Sequence, residues 1–431
     1  MHLFGPISVV LLFVSGLGLA YSIGAGSVLA FFMVEKSRFL ALMPQTIFSK
    51  IDVFALMAMP LFILAGEIMN RGGITKILIR FSMALVGRLP GALGSVNILT
   101  SVFFAGISGS AVADSAALSN TLVPAMRDQG YSRTYASAIT AASSVIGPIV
   151  PPSIIMIFYG AIMGTSVAGM FIAGIIPGLL LAASLLIMNT FFAIRHGHPR
   201  LSAEDRQPIL PALIKALPAL SLPIIIVGGI VFGWMTPTEA AALAVLVALG
   251  ASAIYERLSI ATLIEAFQKT AILSGSIFII LCAVAVFGHL ISLEGIPEAL
   301  AALVTDLDLG PVQYLLVLNL ILVLCGMFLD IPVALALVVP LFAPVALANG
   351  MDPVHLGIVV CFNLCIGLIT PPLGSCLLIV SSITGENYWK LSYAALPFVI
   401  VEYIVLGLLV AFPEISLWLP SVTGIYTPIT Q

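Results

Sequence analysis

Two stretches of the chain hold residues whose types and spacing suit ion chemistry. Gly147-Pro148-Ile149-Val150-Pro151-Pro152-Ser153 and, 220 positions later, Gly367-Leu368-Ile369-Thr370-Pro371-Pro372 each place two adjacent prolines inside an apolar run. Proline has no N–H to donate. Pro151 and Pro152 therefore strip the carbonyls of Gly147 and Pro148 of their helical partners, and Pro371 and Pro372 do the same to Gly367 and Leu368. A main-chain oxygen without a donor is costly in hydrocarbon, so such a break persists only where protein, water or an ion satisfies it. A bare cation is the obvious partner. A helix broken at the same place in two halves of a membrane chain points to a midplane site, with carbonyls on a cation and half-helix N-termini facing an anion.

A second break lies upstream of each. In Phe104-Ala105-Gly106-Ile107-Ser108-Gly109-Ser110-Ala111, two serines and two glycines interrupt the apolar run from Leu93 to Val123, which is too short for two crossings. This reads as a re-entrant hairpin whose tip meets the broken helix. The equivalent tip is Gly326-Met327-Phe328-Leu329-Asp330-Ile331-Pro332, where Asp330 offers a carboxylate opposite Ser110. Asp114 is open to two readings, a ligand or a cap on the returning helix. Other readings of the same residues exist: Gly-Pro pairs kink membrane helices without binding anything, and small serines let helices approach.

The elements that must position these residues follow from composition. Of 431 residues, 61% are hydrophobic and 8% charged, with a mean hydropathy of +1.21. Such a chain cannot cover its apolar surface with polar groups, and it reads as an all-α polytopic membrane protein. Ile7 to Met33, Ala168 to Ile194, Leu217 to Met235, Leu273 to Ile291 and Phe398 to Phe412 approach or exceed the roughly 20 residues of a crossing. About eleven crossings and two re-entrant hairpins are expected. The first segment is too long for a signal-peptide core and is expected to be retained. A net charge of −3 gives no reason to expect nucleic acid, and the five cysteines, all in apolar runs, read as packing residues.

The organisation is a duplication. Between 106 and 152 a shift of 220 gives nine identities in 47 positions, six of them Gly or Pro. Apolar sequences match one another easily, but not at helix breakers with one constant offset. The expected division is a first repeat over 1–194, a cytoplasmic loop over 195–215 by its positive charge, and a second repeat over 216–431. Lys36, Arg38 and Lys50, and separately Arg257 and Lys269, are expected on cytoplasmic interfacial segments or loops. Asp52 and Glu67 lie near segment ends and should reach water. His289 and His355 read as relay groups or as packing, and Glu402, central in its helix, has no explanation in the sequence.

These residues carry a resemblance. FFAGISGSAVADSAALSNTLVPAM (103–126), AITAASSVIGPIVPPSI (138–154), PLFILAGEIMNRGGI (60–74), GRLPGALGSVN (87–97), AGIIPG (173–178), TPTEAA (236–241), NLCIGLITPPLG (363–374) and FPEISLWLP (412–420) resemble, in order, the large membrane subunit of tripartite ATP-independent periplasmic (TRAP) transporters. Gly18-Leu19-Ala20-Tyr21 departs from the family's usual Gly-x-Pro. The resemblance implies an elevator-type transporter of two inverted repeats in a bacterial or archaeal inner membrane, co-transporting Na+ with an organic acid and using no organic cofactor. It implies a small four-helix membrane subunit and a periplasmic substrate-binding protein as partners, with lipid around them. By motif match one sodium site would use Ser108, Ser110, Gly147, Val150 and Pro152, and the other Phe328, Asp330, Gly367, Thr370 and Pro372. Ser108, Gly109 and Ser153 are the expected contacts of the substrate carboxylate, since no arginine lies near either break. Two alternatives stand beside this: a sodium-coupled anion carrier working without a binding protein, and an intramembrane serine protease using the GxSG of Gly106–Gly109 with His289. The second half, with Phe328 where Ser108 maps, speaks against the protease.

Overall fold

The computed structural model describes residues 4–200, 208–255 and 259–429, and every regular element within them is a helix. A chain this apolar has no water to satisfy its backbone in the membrane and must bond it internally. Among the described residues, eight helices are long and apolar enough to cross a membrane, and five apolar helices are shorter. Four of the short ones, Ala92–Ser108, Ile154–Met163, Pro353–Gly367 and Ser375–Thr384, adjoin the breaks read from the sequence. Length alone misleads at the second hairpin. Pro311–Phe328 and Ile331–Ala348 are each long enough for a crossing, yet they are joined only by Leu329 and Asp330.

The duplication extends through the elements. A shift of 220 carries Ala92–Ser108 onto Pro311–Phe328 to within one residue, Ala111–Asp128 onto Ile331–Ala348, and Ile154–Met163 onto Ser375–Thr384 to within one residue. Arg133–Ser144 starts in register with Pro353–Gly367 and stops three residues sooner. The two copies also exchange partners. Ser375–Thr384 packs on Ala111–Asp128 and Arg133–Ser144, while Ile154–Met163 packs on Ile331–Ala348 and Pro353–Gly367. Each broken helix thus lies against the other copy's hairpin. Outside this central group, Ala58–Arg71 packs on Pro237–Tyr255, and Leu19–Met33 and Met43–Ile51 pack on Ile260–Leu293.

Four expectations are corrected. Ile7 to Met33 is two helices, Phe4–Val14 and Leu19–Met33, folded back on each other. The reversal needs Gly16, whose φ of +93° is a left-handed conformation open to glycine. At Gly26 a Cβ would come 2.7 Å from Val9 Cγ2, so only glycine admits this close pairing. The segment expected as a 195–215 loop is shorter, because Val167–His196 continues to His196 and the next helix begins at Ile209; residues 201–207 of it lie outside the described residues.

The charged flanks cannot share one side. Lys50 lies beside His289 and Ser292, whereas Lys269 pairs with Glu67 at 2.6 Å. Both ends belong to the single 34-residue helix Ile260–Leu293, whose rise separates them by about 30 Å. Tyr255 donates to the Lys215 carbonyl at 2.6 Å, which places the Arg195–Lys215 segment at the end near residues 255–269. Lys36, Arg38 and Lys50 therefore lie at the end opposite the Arg195–Lys215 segment, and the two groups cannot both be cytoplasmic. Glu67, finally, is buried rather than water-exposed. It is compensated by Lys269 and by Arg71 at 3.6 Å, as a carboxylate away from water requires. Asp52 is exposed.

Candidate functional site

At the first hairpin tip the chain reverses through Gly109, at φ +58°, and Ser110. Ser110 then N-caps the returning helix, its hydroxyl accepting from the Ala113 N–H at 3.4 Å. This cap brings Asp114, in the first turn, back over the tip. The Ser108 hydroxyl donates to Asp114 Oδ1, and the Ser110 N–H donates to Ser108 Oγ at 3.3 Å. Asp114 is fully buried, and its Oδ2 has no hydrogen-bond partner. That oxygen lies against the Cα of Gly147, the residue at which the first helix breaks. The tip meets the break at a second place: a Cβ on Gly109 would come 2.7 Å from the Pro152 carbonyl oxygen. Both glycines permit an approach of backbone to oxygen that a side chain would block.

Within the first break the freed carbonyls fare differently. Pro148 O accepts the Ser153 hydroxyl at 2.5 Å, and Ser153 Oγ also accepts from Met156 N–H at 3.3 Å as N-cap of Ile154–Met163. The carbonyls of Gly147, Val150 and Pro152 receive no hydrogen bond among the described residues. Pro151, Pro152 and Ser153 are buried, so water does not readily replace the missing donors. A carboxylate oxygen without a donor thus lies at the residue where the helix breaks, and three carbonyls of that break also lack donors; oxygens of this kind suit a small hard cation. The Pro151–Pro152 and Pro371–Pro372 peptide bonds are both cis.

The second copy is built by backbone contact. Gly326 and Gly367 cross so closely that a Cβ on Gly367 would come 2.6 Å from the Gly326 carbonyl carbon. Gly367 O accepts from Thr370 N–H at 3.1 Å, Leu368 O accepts from Cys376 N–H at 3.0 Å, and Thr370 Oγ1 donates to Ile366 O at 2.8 Å. Pro372 O, offered by the resemblance as a sodium ligand, accepts the Tyr388 hydroxyl at 2.9 Å, because helix Tyr388–Ala411 begins beside this loop. Phe328 is 56% exposed and Asp330 is exposed, and the Asp330 carboxylate caps no N–H of its helix. The second site is the more open of the two.

Buried amides lock each outgoing hairpin arm to its broken helix. Asn97 donates to Thr140 Oγ1 at 2.5 Å and accepts from Ser143 at 3.1 Å. In the second copy Asn363, the counterpart of Ser143, donates to Asn319 Oδ1 at 2.5 Å. Sequence reasoning passed over this network, although a buried Asn in an apolar run signals a partner across the helix interface. His355 is a packing group, bonded through Nδ1 to Ser416 at 2.8 Å. His289 stacks on Phe31 at a centroid distance of 6.2 Å, and the hydroxyl of Ser108 is engaged by Asp114, so the Ser108–His289 pairing a serine protease needs is not formed. Glu402 is fully buried, and neither carboxylate oxygen has a partner.

Comparison with known proteins bears on the whole chain. Residues 7–415 match the family described as "Tripartite ATP-independent periplasmic transporter, DctM component". The chain is 38% identical over 394 residues to the sialic acid TRAP transporter large permease protein SiaM of Vibrio cholerae, covering 91% of this chain and 92% of that one. It is 35% identical over 379 residues to the C4-dicarboxylate TRAP transporter large permease protein DctM of Pseudomonas aeruginosa, covering 88% and 89%. Among solved structures, the YdaH transporter of Alcanivorax borkumensis shares the fold with a TM-score of 0.62 at 15% identity, over 90% of each chain. With this match across nearly its full length and its apolar helices, the chain belongs to the DctM family as a multi-pass, inner-membrane large permease subunit of a TRAP transporter.

Proposed function

We propose that this permease couples the inward movement of Na+ to that of an organic acid anion by an elevator motion. The observation that carries the reading is the duplicated meeting of a hairpin tip with a broken helix, at the first of which carbonyls and the second oxygen of Asp114 lack donors. One sodium ion is assigned to Ser108, Ser110, Gly147, Val150 and Pro152, with Asp114 added as the charged ligand. The other is assigned to Phe328, Asp330, Gly367, Thr370 and Pro372, where the carbonyls of Gly367 and Pro372 already accept from the Thr370 N–H and the Tyr388 hydroxyl. The N-termini of Ile154–Met163 and Ser375–Thr384 supply positive dipole ends for the anion. Ser108, Gly109 and Ser153 are the proposed contacts of the substrate carboxylate, and to reach it their protons must leave Asp114, Ala105 O and Pro148 O, to which they are bonded here.

The repeats 1–194 and 216–431 act as an inverted pair. Their hairpins and broken helices travel together against the framework of Ala58–Arg71, Pro237–Tyr255 and Ile260–Leu293. Relatives of the chain are named for sialic acid, C4-dicarboxylates, 2,3-diketo-L-gulonate and isethionate, all organic anions. A periplasmic binding protein delivers such a substrate, and a small four-helix subunit completes the membrane assembly. Uptake into vesicles containing the permease, small subunit and binding protein tests this. A tenfold or greater acceleration by an inward sodium gradient is expected, on the order of 1.4 kcal/mol; equal rates with and without the gradient would refute the coupling. Uptake that persists without the binding protein would favour the stand-alone carrier.

A further inference from the structure

A cavity of about 400 Å³ lies at the end of Ile154–Met163 remote from Ser153. Its walls differ in kind. Met43–Ile51 and Ile260–Leu293 line it with the polar side chains of Thr46, Lys50, His289 and Ser292 among apolar ones, and the central helices line it with apolar residues that include Ile162 and Pro344. Lys36 is neutralised by Glu294 at 2.8 Å, whereas Lys50 makes no ion pair among the described residues. The His289 ring is fixed between Phe31 and Phe39, and its Nε2 is buried without a hydrogen-bond partner. The cavity is therefore lined by one cation outside any ion pair and by the His289 ring, together with hydrocarbon.

We propose that this cavity binds an anionic phospholipid. The phosphate sits between Lys50 and His289, and the first part of an acyl chain lies along Ile162 and Pro344. A hydrophilic organic acid is a poor occupant, because the apolar wall offers no partner to a hydroxyl or a second carboxylate. An amphiphile matches both walls. The flanking segment turns Phe48, Phe54 and Met57 outward, each more than half exposed, which is how a chain meets lipid. The site lies on the side opposite the Arg195–Lys215 segment, distinct from both breaks, and the inference rests on membrane residence alone rather than on sodium coupling. Because its two walls come from the framework and from the central group, a bound lipid ties these together.

The test is lipid retention by the full-length protein, measured by native mass spectrometry and thermal unfolding in nanodiscs of phosphatidylcholine with or without phosphatidylglycerol. Wild type should retain phosphatidylglycerol in preference and unfold at higher temperature with it. Lys50→Gln, a change at an exposed side chain that leaves the fold intact, should weaken retention about fivefold, as the loss of one cation at an anionic lipid implies. Lys50→Arg should preserve retention, and His289→Gln should lower it. Equal retention by wild type and Lys50→Gln would overturn the proposal. So would displacement of the lipid by succinate, which would mark a site for small soluble anions.

Discussion

Asp114 and Asp330 are the acids nearest the breaks, and their surroundings set different expectations. Asp114 is sealed from solvent with one oxygen on Ser108 and the other directed at Gly147, so its charge has few ways of being compensated other than by a cation. We predict that Asp114→Asn lowers the apparent sodium affinity of uptake roughly 10- to 100-fold, the range expected for losing a charge-assisted contact. Sodium dependence identical to wild type would remove Asp114 from the site. Asp330 is exposed, water shares its solvation, and Asp330→Ala should cost less, about two- to tenfold in the same assay. The sequence displayed both acids. It did not display the Ser108–Asp114 bond, because that contact depends on where Ser110 ends the tip and starts the next helix, a choice of one residue that composition does not make. Asp114 as a simple cap and Asp114 as a ligand looked alike at that level.

At the scale of elements, the breaks were legible because proline acts through the backbone, and its effect does not depend on distant neighbours. The fate of each freed carbonyl was not. Ser153 takes Pro148 O and the Cys376 N–H takes Leu368 O, and neither donor follows from the local pattern. Replacing Pro151 and Pro152 together by Ala should let the helix reclaim its carbonyls and abolish sodium-driven uptake while the protein still inserts; wild-type transport in that variant would contradict the role given to the break. The crossing of Gly326 and Gly367 leaves no room for a methyl group. Gly367→Ala should destabilise by about 1–3 kcal/mol, read as a lowered unfolding temperature, whereas Gly275→Ala, where a Cβ meets open space, should leave it unchanged. Outside the spans, His198 packs on Tyr131 and Tyr135 at centroid distances of 4.7 and 4.6 Å. Burial, and then the neighbouring His196, lowers its pKa from 6.5. The unfolded state therefore binds the proton more readily, and the packing of 197–200 weakens as pH falls through 6.5. Amide exchange in this segment should be faster at low pH than intrinsic rates predict; no such excess would contradict the assignment.

For the whole molecule, the constant shift of 220 that linked the two Gly–Pro breaks in the sequence also aligns the helices around them. Helix breakers are few and positionally strict, so a duplication survives there after apolar positions have drifted. The reversal at Gly16 was hidden, since Phe4–Val14 and Leu19–Met33 read as one unbroken apolar run. The sidedness of Lys36, Arg38 and Lys50 was hidden as well: charge marks an interface but not which one, and only the length of Ile260–Leu293 separates the two. Exchange of partners between the copies, with the second part of each broken helix packed on the other's hairpin, holds the two sites against one another although each draws its named residues from one half.

The central claim is that oxygens left without donors at these meetings hold Na+. Equilibrium binding of radioactive sodium to the purified chain measures it directly. Saturable binding that K+ does not displace, and that Asp114→Asn combined with Asp330→Ala eliminates, is the predicted result. An absence of saturable sodium binding by the folded wild-type protein, or full binding by the double variant, would contradict the account.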